Sequence, residues 1–286
     1  MSTQLTDWPA LRSARTLAET DEYLVLDKPA GVSVTGERHD TDLVRIAKAA
    51  GEHLIPVHRI DKVTSGVVLL AKTQAAHGPL TRQFTVRTVR KSYLAITRSV
   101  GLPEAGTVDL PLSVGRKNRV RVAAPREDIT RDEASAHWSV PPVSVRPRSF
   151  PSFTSFTRLW QGTAHTALAV FPTTGRRHQI RVHLAWIGHP IAGDPLFPAP
   201  EDAALTDSTL EGDAPTEATP PAATPPAAGE GVPSDGAVRT CLHAWRLSFD
   251  DLAGQRVTVQ AVPEPEFWAP VATELPPAER IALLRA

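Results

Sequence analysis

A single cysteine, Cys241, stands among the 286 residues. The chain can therefore build neither a disulfide framework nor a thiolate metal cluster, and a reducing compartment, the cytoplasm, is expected. No window approaches the ~20 apolar residues of a membrane-spanning helix. The opening stretch MSTQLTDWPALRSARTLAETD has no apolar core behind a basic start, so neither secretion nor membrane insertion is expected. Also missing are G-x-S-x-G, G-x-G-x-x-G and G-x-x-x-x-G-K-[ST], which leaves a serine-nucleophile elbow, a dinucleotide site and a P-loop without support. There is no internal repeat.

Net charge is zero, but the balance depends on one atypical segment. Residues 199–238 hold eight acids and no lysine or arginine, which leaves 31 basic against 23 acidic residues elsewhere, a net of +8. Such a body can bind phosphates although the whole chain reads neutral; a chance acidic linker accounts for the asymmetry equally well. The segment is rich in Ala, Pro, Thr and Glu and has no aromatic residue. It cannot bury enough surface to offset its ordering entropy, so a disordered insertion is expected. Residues 82–126 carry ten Lys or Arg and two acids, Glu104 and Asp109, which fits either an electrostatic footprint for nucleic acid or a solvated hairpin. Arginine outnumbers lysine by 25 to 6, which fits RNA contacts and fits a GC-rich genome better.

What is present is enough apolar residue, 41%, for one sizeable core or two modest ones. The stretch VHRIDKVTSGVVLLAKT, residues 57–73, sets one acid, Asp61, among basic and hydroxyl groups. Arg59 and Asp61 are two apart, so in an extended segment both side chains leave the same face and can meet. Thr64, Ser65 and Gly66 predict a turn, with GVVLLA as a buried strand behind it. A reactive carboxylate would be held in this way, on a short loop braced by a rigid element.

Around that loop the pattern predicts a strand over 23–27 followed by a turn at Pro29 and Gly31, and a helix over 42–50 stopped by Gly51. It then predicts a helix capped by Thr73, a strand in KSYLAITRSV, a strand over 166–171 and a helix over 177–187 that Gly188 terminates. RTCLHAWRLSFDD and QRVTVQAVP read as two strands joined at Gly254, returning to the same sheet. Residues 1–20 read as a polar arm, partly ordered by Trp8 and Leu11. Residues 125–160, with five prolines, read as an irregular excursion from the sheet. The expected organisation is one domain over 21–286, interrupted at 199–238.

TGRRHQIRVHLAWIGHP packs three histidines and three arginines around a glycine turn, with His178 and Arg181 one helical turn apart. Basic groups near a helix N-terminus are disfavoured by the macrodipole, so phosphate or Asp61 is expected to compensate. The histidines are spaced five and six apart, whereas two ligands on one helical face want three or four. With no acid or thiolate as a third ligand, metal binding is not expected. Ile180 and Leu184 read as core.

Together DKPAG, HRIDKVTSGVVLLAKT, RTVRKSYLAI, TTGRRHQIRVHLAWIGHPIAGDPLF and CLHAWRLSF resemble the RluA-type RNA pseudouridine synthases, over about residues 23–267. Five motifs in the family's order make the resemblance specific, with gaps at 125–160 and 199–238. It implies an α+β protein with the pseudouridine synthase catalytic fold: a mixed, largely antiparallel central sheet with flanking helices and loops. It implies isomerisation of uridine to pseudouridine within RNA, without metal or organic cofactor. Ribosomal RNA is favoured as substrate, with transfer RNA as the alternative, and a monomer is expected.

On the same resemblance Asp61 matches the catalytic aspartate, Tyr93 the active-site tyrosine and Arg181 the arginine partner of the aspartate. Arg59 matches the arginine associated with holding flipped RNA, and Lys28, His58, Lys62, Arg177 and His178 are placed as phosphate-binding or loop-orienting groups. An arginine partner favours the ionised carboxylate that can attack C1′ or act as a base on the ribose. The family's N-terminal S4-like RNA-binding domain has no counterpart before Asp27, so recognition is expected to rest on the catalytic domain. Two other readings compete. A non-catalytic RNA-binding or ribosome-assembly factor would not need Asp61, Tyr93 and Arg181 together, and a glycoside or nucleoside hydrolase wants a second carboxylate near the first.

Overall fold

The computed structural model describes residues 7–36, 42–115, 119–197 and 239–285. Its central element is β4, Ser65–Ala71, in which all seven residues are buried. A strand covered on both faces needs a continuous apolar run, and VVLLA supplies one. Val68 and Leu70 pack with Leu24, Leu26, Leu43 and Ile46 on one face, while Val67 and Leu69 pack with Val25, Ala76 and Leu80 on the other. The first cover is α2, Leu43–Ala49, whose N-cap Asp42 accepts from the amides of Val44 and Arg45. The second is α3, Gln74–Thr85, capped by the Thr73 hydroxyl. Gly51 follows α2 with φ +86°, the left-handed conformation that stops a helix at least cost in glycine.

Antiparallel to β4 runs β2, Tyr23–Lys28, and the short β3, Ile55–Pro56, pairs with its end. Beyond β2 the chain from residue 7 is ordered: α1, Trp8–Arg15, leads into β1, Thr16–Glu19, which forms the sheet edge. The arm predicted over 1–20 is thus a helix and an edge strand from residue 7 on. Trp8 is buried and its indole N–H donates to Glu52 at 2.7 Å.

On the other side of β4 lies β13, Leu242–Asp250, parallel to it through His243 and Ala244. Gly66 permits that approach. It has φ +108°, and a Cβ there would sit 2.2 Å from the Ala244 carbonyl oxygen. From β13 the sheet continues through β5, Arg90–Thr97, and β12, Thr166–Pro172, all antiparallel. The hairpin strand β14, Arg256–Gln260, turns back on β13 around Gly254. A second core covers this half, including Leu94, Ile96, Leu168 and Val170, with Ile180 and Leu184 from α4, Gln179–Trp186. The sheet is mixed and largely antiparallel, with helices at its faces, as an α+β fold requires.

Residues 125–160 correct the sequence reading. They do leave the sheet at 133–136 and over 140–152, which include turns and a 3-10 turn, and at another 3-10 turn over 126–128. Otherwise they supply β9, Thr130–Asp132, β10, His137–Ser139, and the nine-residue β11, Phe153–Gln161. β11 pairs with β12 on one side and with β6, Ala105–Asp109, on the other, and β10 joins β6 in parallel. A separate hairpin, β7, Leu112–Val114, with β8, Val120–Val122, flanks the sheet. The chain ends in α5, Pro277–Leu283. The insertion predicted at 199–238 lies outside the described residues. Among the described residues no helix is long and apolar enough to cross a membrane.

Candidate active site

Asp61 sits on the loop between β3 and β4, in a turn closed by the amide of Thr64 donating to the Asp61 carbonyl at 3.1 Å. Lys62, the next residue, accepts through its carbonyl from the Gly31 amide at 2.8 Å, so the DKPAG turn braces the loop. Lys28 completes the brace: its ammonium is fully buried and donates to the carbonyls of Pro29, Val32 and Lys62. Of the two roles expected of Lys28, phosphate binding is set aside and loop orientation kept. A cation with no exposure, held by three carbonyls, orients the loop and cannot meet a phosphate.

The Asp61 carboxylate is 19% exposed, and its Oδ2 accepts from the Arg181 guanidinium at 3.1 Å. The other oxygen lies 3.8 Å from His178 Nε2. Arg181 is fully buried on α4 and is itself fixed from behind: its Nε and Nη2 donate to Asp194 at 2.7 and 2.8 Å. Burial disfavours the guanidinium charge, but the bonds to Asp194 and the field of both carboxylates outweigh it, and the pKa lies above the ordinary arginine value. Asp194 is in turn held by the amides of Leu196 and Phe197. Arg59 and Asp61 do not pair. Arg59 is exposed and, among the described residues, makes no hydrogen bond or ion pair.

Tyr93 reaches the same cleft from β5, packed between two cores. Burial, and then the nearby Asp61 charge, push its phenol above the usual tyrosine range; it is a neutral donor at physiological pH. His178 occupies the N-cap position of α4 with φ +55° rather than the helix itself. Burial lowers its imidazole to about 4, despite the opposing pull of Asp61, so it stands neutral beside the carboxylate. His58 is also neutral. Its Nε2 accepts from the Leu69 amide at 3.0 Å, its ring stacks on Phe84, and burial drives it down to about 3. For His58 too phosphate binding is set aside and loop orientation kept: its ring pins the loop to β4.

Asp61, Tyr93, Arg181, Arg59, His58 and His178 line one cleft of about 530 Å³. Lys62 and Arg177 do not line it. Arg87, Lys91 and Arg176 do, although they had not been singled out from the sequence. Burial and the like charge of Arg87 lower the Lys91 ammonium to about 8, and it donates to the Thr174 carbonyl at 3.0 Å. Among the described lining residues Asp61 is the only acid. Asp194, the other nearby carboxylate, is sealed behind Arg181 with 1% exposure, so the paired carboxylates of a glycosidase are not available here. Asp194 was also missed, yet it carries a sequence signal as the only acid between Glu133 and Glu201.

The TTGRRH turn that carries these groups is held by Gln179. Its carbonyl accepts from the Thr174 hydroxyl and the Arg176 amide, and its amide donates to β11. His183 donates to the Leu110 carbonyl and accepts from Thr154, and His189 bonds Ser99. The histidines of the motif are thus spread over three separate partners.

A lone carboxylate clamped by a doubly bound arginine, at the bottom of a basic cleft, is arranged to act on an electrophile within a polyanion. Residues 22–186 match the profile of the family described as RNA pseudouridylate synthase. The chain belongs to that family. Like other members, this synthase is an RNA-modifying isomerase. It is 34% identical over 199 residues to the dual-specificity RNA pseudouridine synthase RluA of Escherichia coli K12, covering 68% of this chain and 81% of that protein. It is 36% identical over 189 residues to the ribosomal large subunit pseudouridine synthase D of Nitrosomonas europaea, covering 63% of this chain. The match spans about half, 48%, of the Nitrosomonas protein's length. The human RNA pseudouridylate synthase domain containing 4 structure superposes with a TM-score of 0.65 over 100% of this chain and 98% of its own, at 23% identity. At that identity the likeness shows the fold, including the α+β sheet described above.

Proposed function

We propose that this synthase converts specific uridines of structured RNA to pseudouridine with Asp61 as the catalytic group. The observation that carries the reading is the Asp61 carboxylate, single in a basic cleft and held at 3.1 Å by a buried arginine. The target nucleotide must leave its stack, at a cost of a few kcal/mol. Arg59, exposed at the cleft and unengaged among the described residues, fills the vacated space, since a guanidinium stacks and hydrogen-bonds at once.

Asp61 then acts on the ribose, either as nucleophile at C1′ or as base. The C1′–N1 bond breaks, the uracil turns, C5 joins C1′, and the C5 proton is lost to solvent while N1 gains one. Arg181 orients the carboxylate. Tyr93, neutral and in the cleft, stacks on the uracil and donates or relays a proton. His178 shapes the floor beside Asp61, and Arg177 and Lys62 meet the backbone outside the cleft. The catalytic domain runs over 21–286 with the 199–238 segment inserted in it, acting as a cytoplasmic monomer. Ribosomal RNA is the favoured target, supported by the name of the Nitrosomonas relative; the dual-specificity E. coli relative keeps transfer RNA as the alternative.

The test is tritium release from RNA carrying 5-tritiated uridine, prepared from cells lacking this protein. Native enzyme is expected to release tritium, and Asp61→Asn to lose activity on the order of 10⁴-fold while still binding RNA. Equal release by both would remove Asp61 from the chemistry. No release by the native protein would favour an RNA-binding factor.

A further inference from the structure

Residues 134–193 contain six arginines and no acid. This stretch meets the cleft at Arg176, and Phe150 packs against Arg176. Phe150 is 47% exposed, an unfavourable position for a large apolar ring that could turn inward if its backbone were free. The backbone is not free: Phe150 and Leu112 exchange hydrogen bonds of 2.7 and 2.9 Å. The Arg176 guanidinium carbon lies 5.2 Å from the centre of the Phe150 ring. Arg176 also lines the cleft that holds Asp61. It is fixed there by its own amide, bonded to the buried Gln179, and by its Nε on the Pro151 carbonyl. Arg146 and Arg148 are exposed on the same segment, and the Arg146 amide is tied to the Ala123 carbonyl at 2.7 Å.

A rigid aromatic ring with a guanidinium plane on it, at the edge of a basic cleft, suits the π-face of an unpaired base. We propose that Phe150 and Arg176 form a stacking platform for a base neighbouring the everted uridine, with Arg146 and Arg148 meeting phosphates of the same strand. This rests on the RNA-modifying reading above and names where the flanking nucleotide is read. Arg176 belongs to the TTGRRH turn, but the Phe150 ring comes from the 125–160 region, which lies outside the motifs that carry the family resemblance. It is accordingly a determinant of RNA choice rather than of the reaction.

The experiment measures binding of a fluorescein-labelled U12 oligonucleotide by native protein, Phe150→Ala, Phe150→Leu, Phe150→Trp and Arg176→Ala over a salt series. Base stacking predicts about tenfold weaker binding for the Ala and Leu variants and near-native binding for Trp. The salt slope should stay unchanged in all three and fall by about one in Arg176→Ala. In tritium release, Phe150→Ala should raise the half-saturating RNA concentration about tenfold, with a smaller change in the saturated rate. Native-like affinity of Phe150→Ala would overturn the platform. So would native-like affinity of Phe150→Leu, which would reduce the ring to apolar cover. Should Phe150→Ala melt early, the Leu and Trp variants decide. If the affinities shift as expected but native protein releases no tritium, the platform stands and the catalytic reading fails.

Discussion

Arg181 spends two of its nitrogens on Asp194 and one on Asp61, so the position of the Asp61 carboxylate depends on a residue that does not line the cleft. Replacing Asp194 with Asn keeps the shape but weakens the clamp. Misplacement of reacting groups by about 1 Å costs about 10²-fold, so Asp194→Asn is expected to lower the saturated tritium-release rate by about that factor with RNA affinity unchanged. A matched fall in affinity would instead mean that the cleft itself had collapsed. Lys91 gives a prediction of the opposite kind. Its ammonium, lowered to about 8 by burial and Arg87, is charged below that pH and loses its proton above it. Affinity for RNA is expected to decline as pH rises from 7 to 9, with a midpoint at or above 8 because a bound phosphate favours the charged form. Lys91→Arg should flatten that decline, and fluorescence anisotropy across the pH series reads both.

At the scale of elements, histidines act as cross-braces. His183 joins α4 to β11, and His243 joins β13 to β4 and to the turn after β14, through Ser65 and the Ala261 carbonyl. Both are fully buried, and burial lowers each to about 4 from 6.5. The unfolded imidazoles take up protons below about 6.5, whereas the folded ones do so only near 4. Between those values the unfolded state binds more protons, so stability falls as pH falls through that window. Each histidine contributes at most about 1.4 kcal/mol per pH unit. The urea midpoint should therefore drop from pH 6.5 toward 4, and His243→Gln should reduce the steepness. A midpoint level across that range would mean that these rings are not neutral in the fold.

On the scale of the whole molecule, the flanks of the 199–238 segment are joined. The Cys241 amide donates to the Ala192 carbonyl and the Thr240 hydroxyl to the Gly193 carbonyl, each at 2.9 Å. A short linker can therefore bridge the gap. Loop-closure entropy varies slowly with length, so replacing 199–238 by a six-residue Gly-Ser linker is expected to leave stability unchanged or to raise it by about 1–2 kcal/mol. Tritium release should be retained if the segment takes no part in catalysis. Thermal melting and the release assay check the two halves of that expectation. The two cores on either side of β13 also belong to one sheet, because β13, which follows the segment, lies between β4 and β5.

Local chemistry made the centre of this protein legible. HRIDKVTSG, KSYLAI and HQIRVH carry Asp61, Tyr93 and Arg181 in short runs, and VVLLA, Gly51 and Gly188 mark their elements by periodicity and stop signals that act within a few residues. Sequence patterning alone could not reveal properties set by distant neighbours. For Lys28 and His58 the sequence left phosphate binding and loop orientation both open, and burial among carbonyls and against Phe84 makes them loop braces. The 125–160 region looked irregular because the three-residue β9 and β10 have no period to detect, and the partners of β10 and of the longer β11 lie in β6 and β12. Residue types and their spacing determined which chemistry the chain could attempt. The tertiary structure decided which charges stay in water and which are sealed away, because desolvation depends on what packs from elsewhere in the chain.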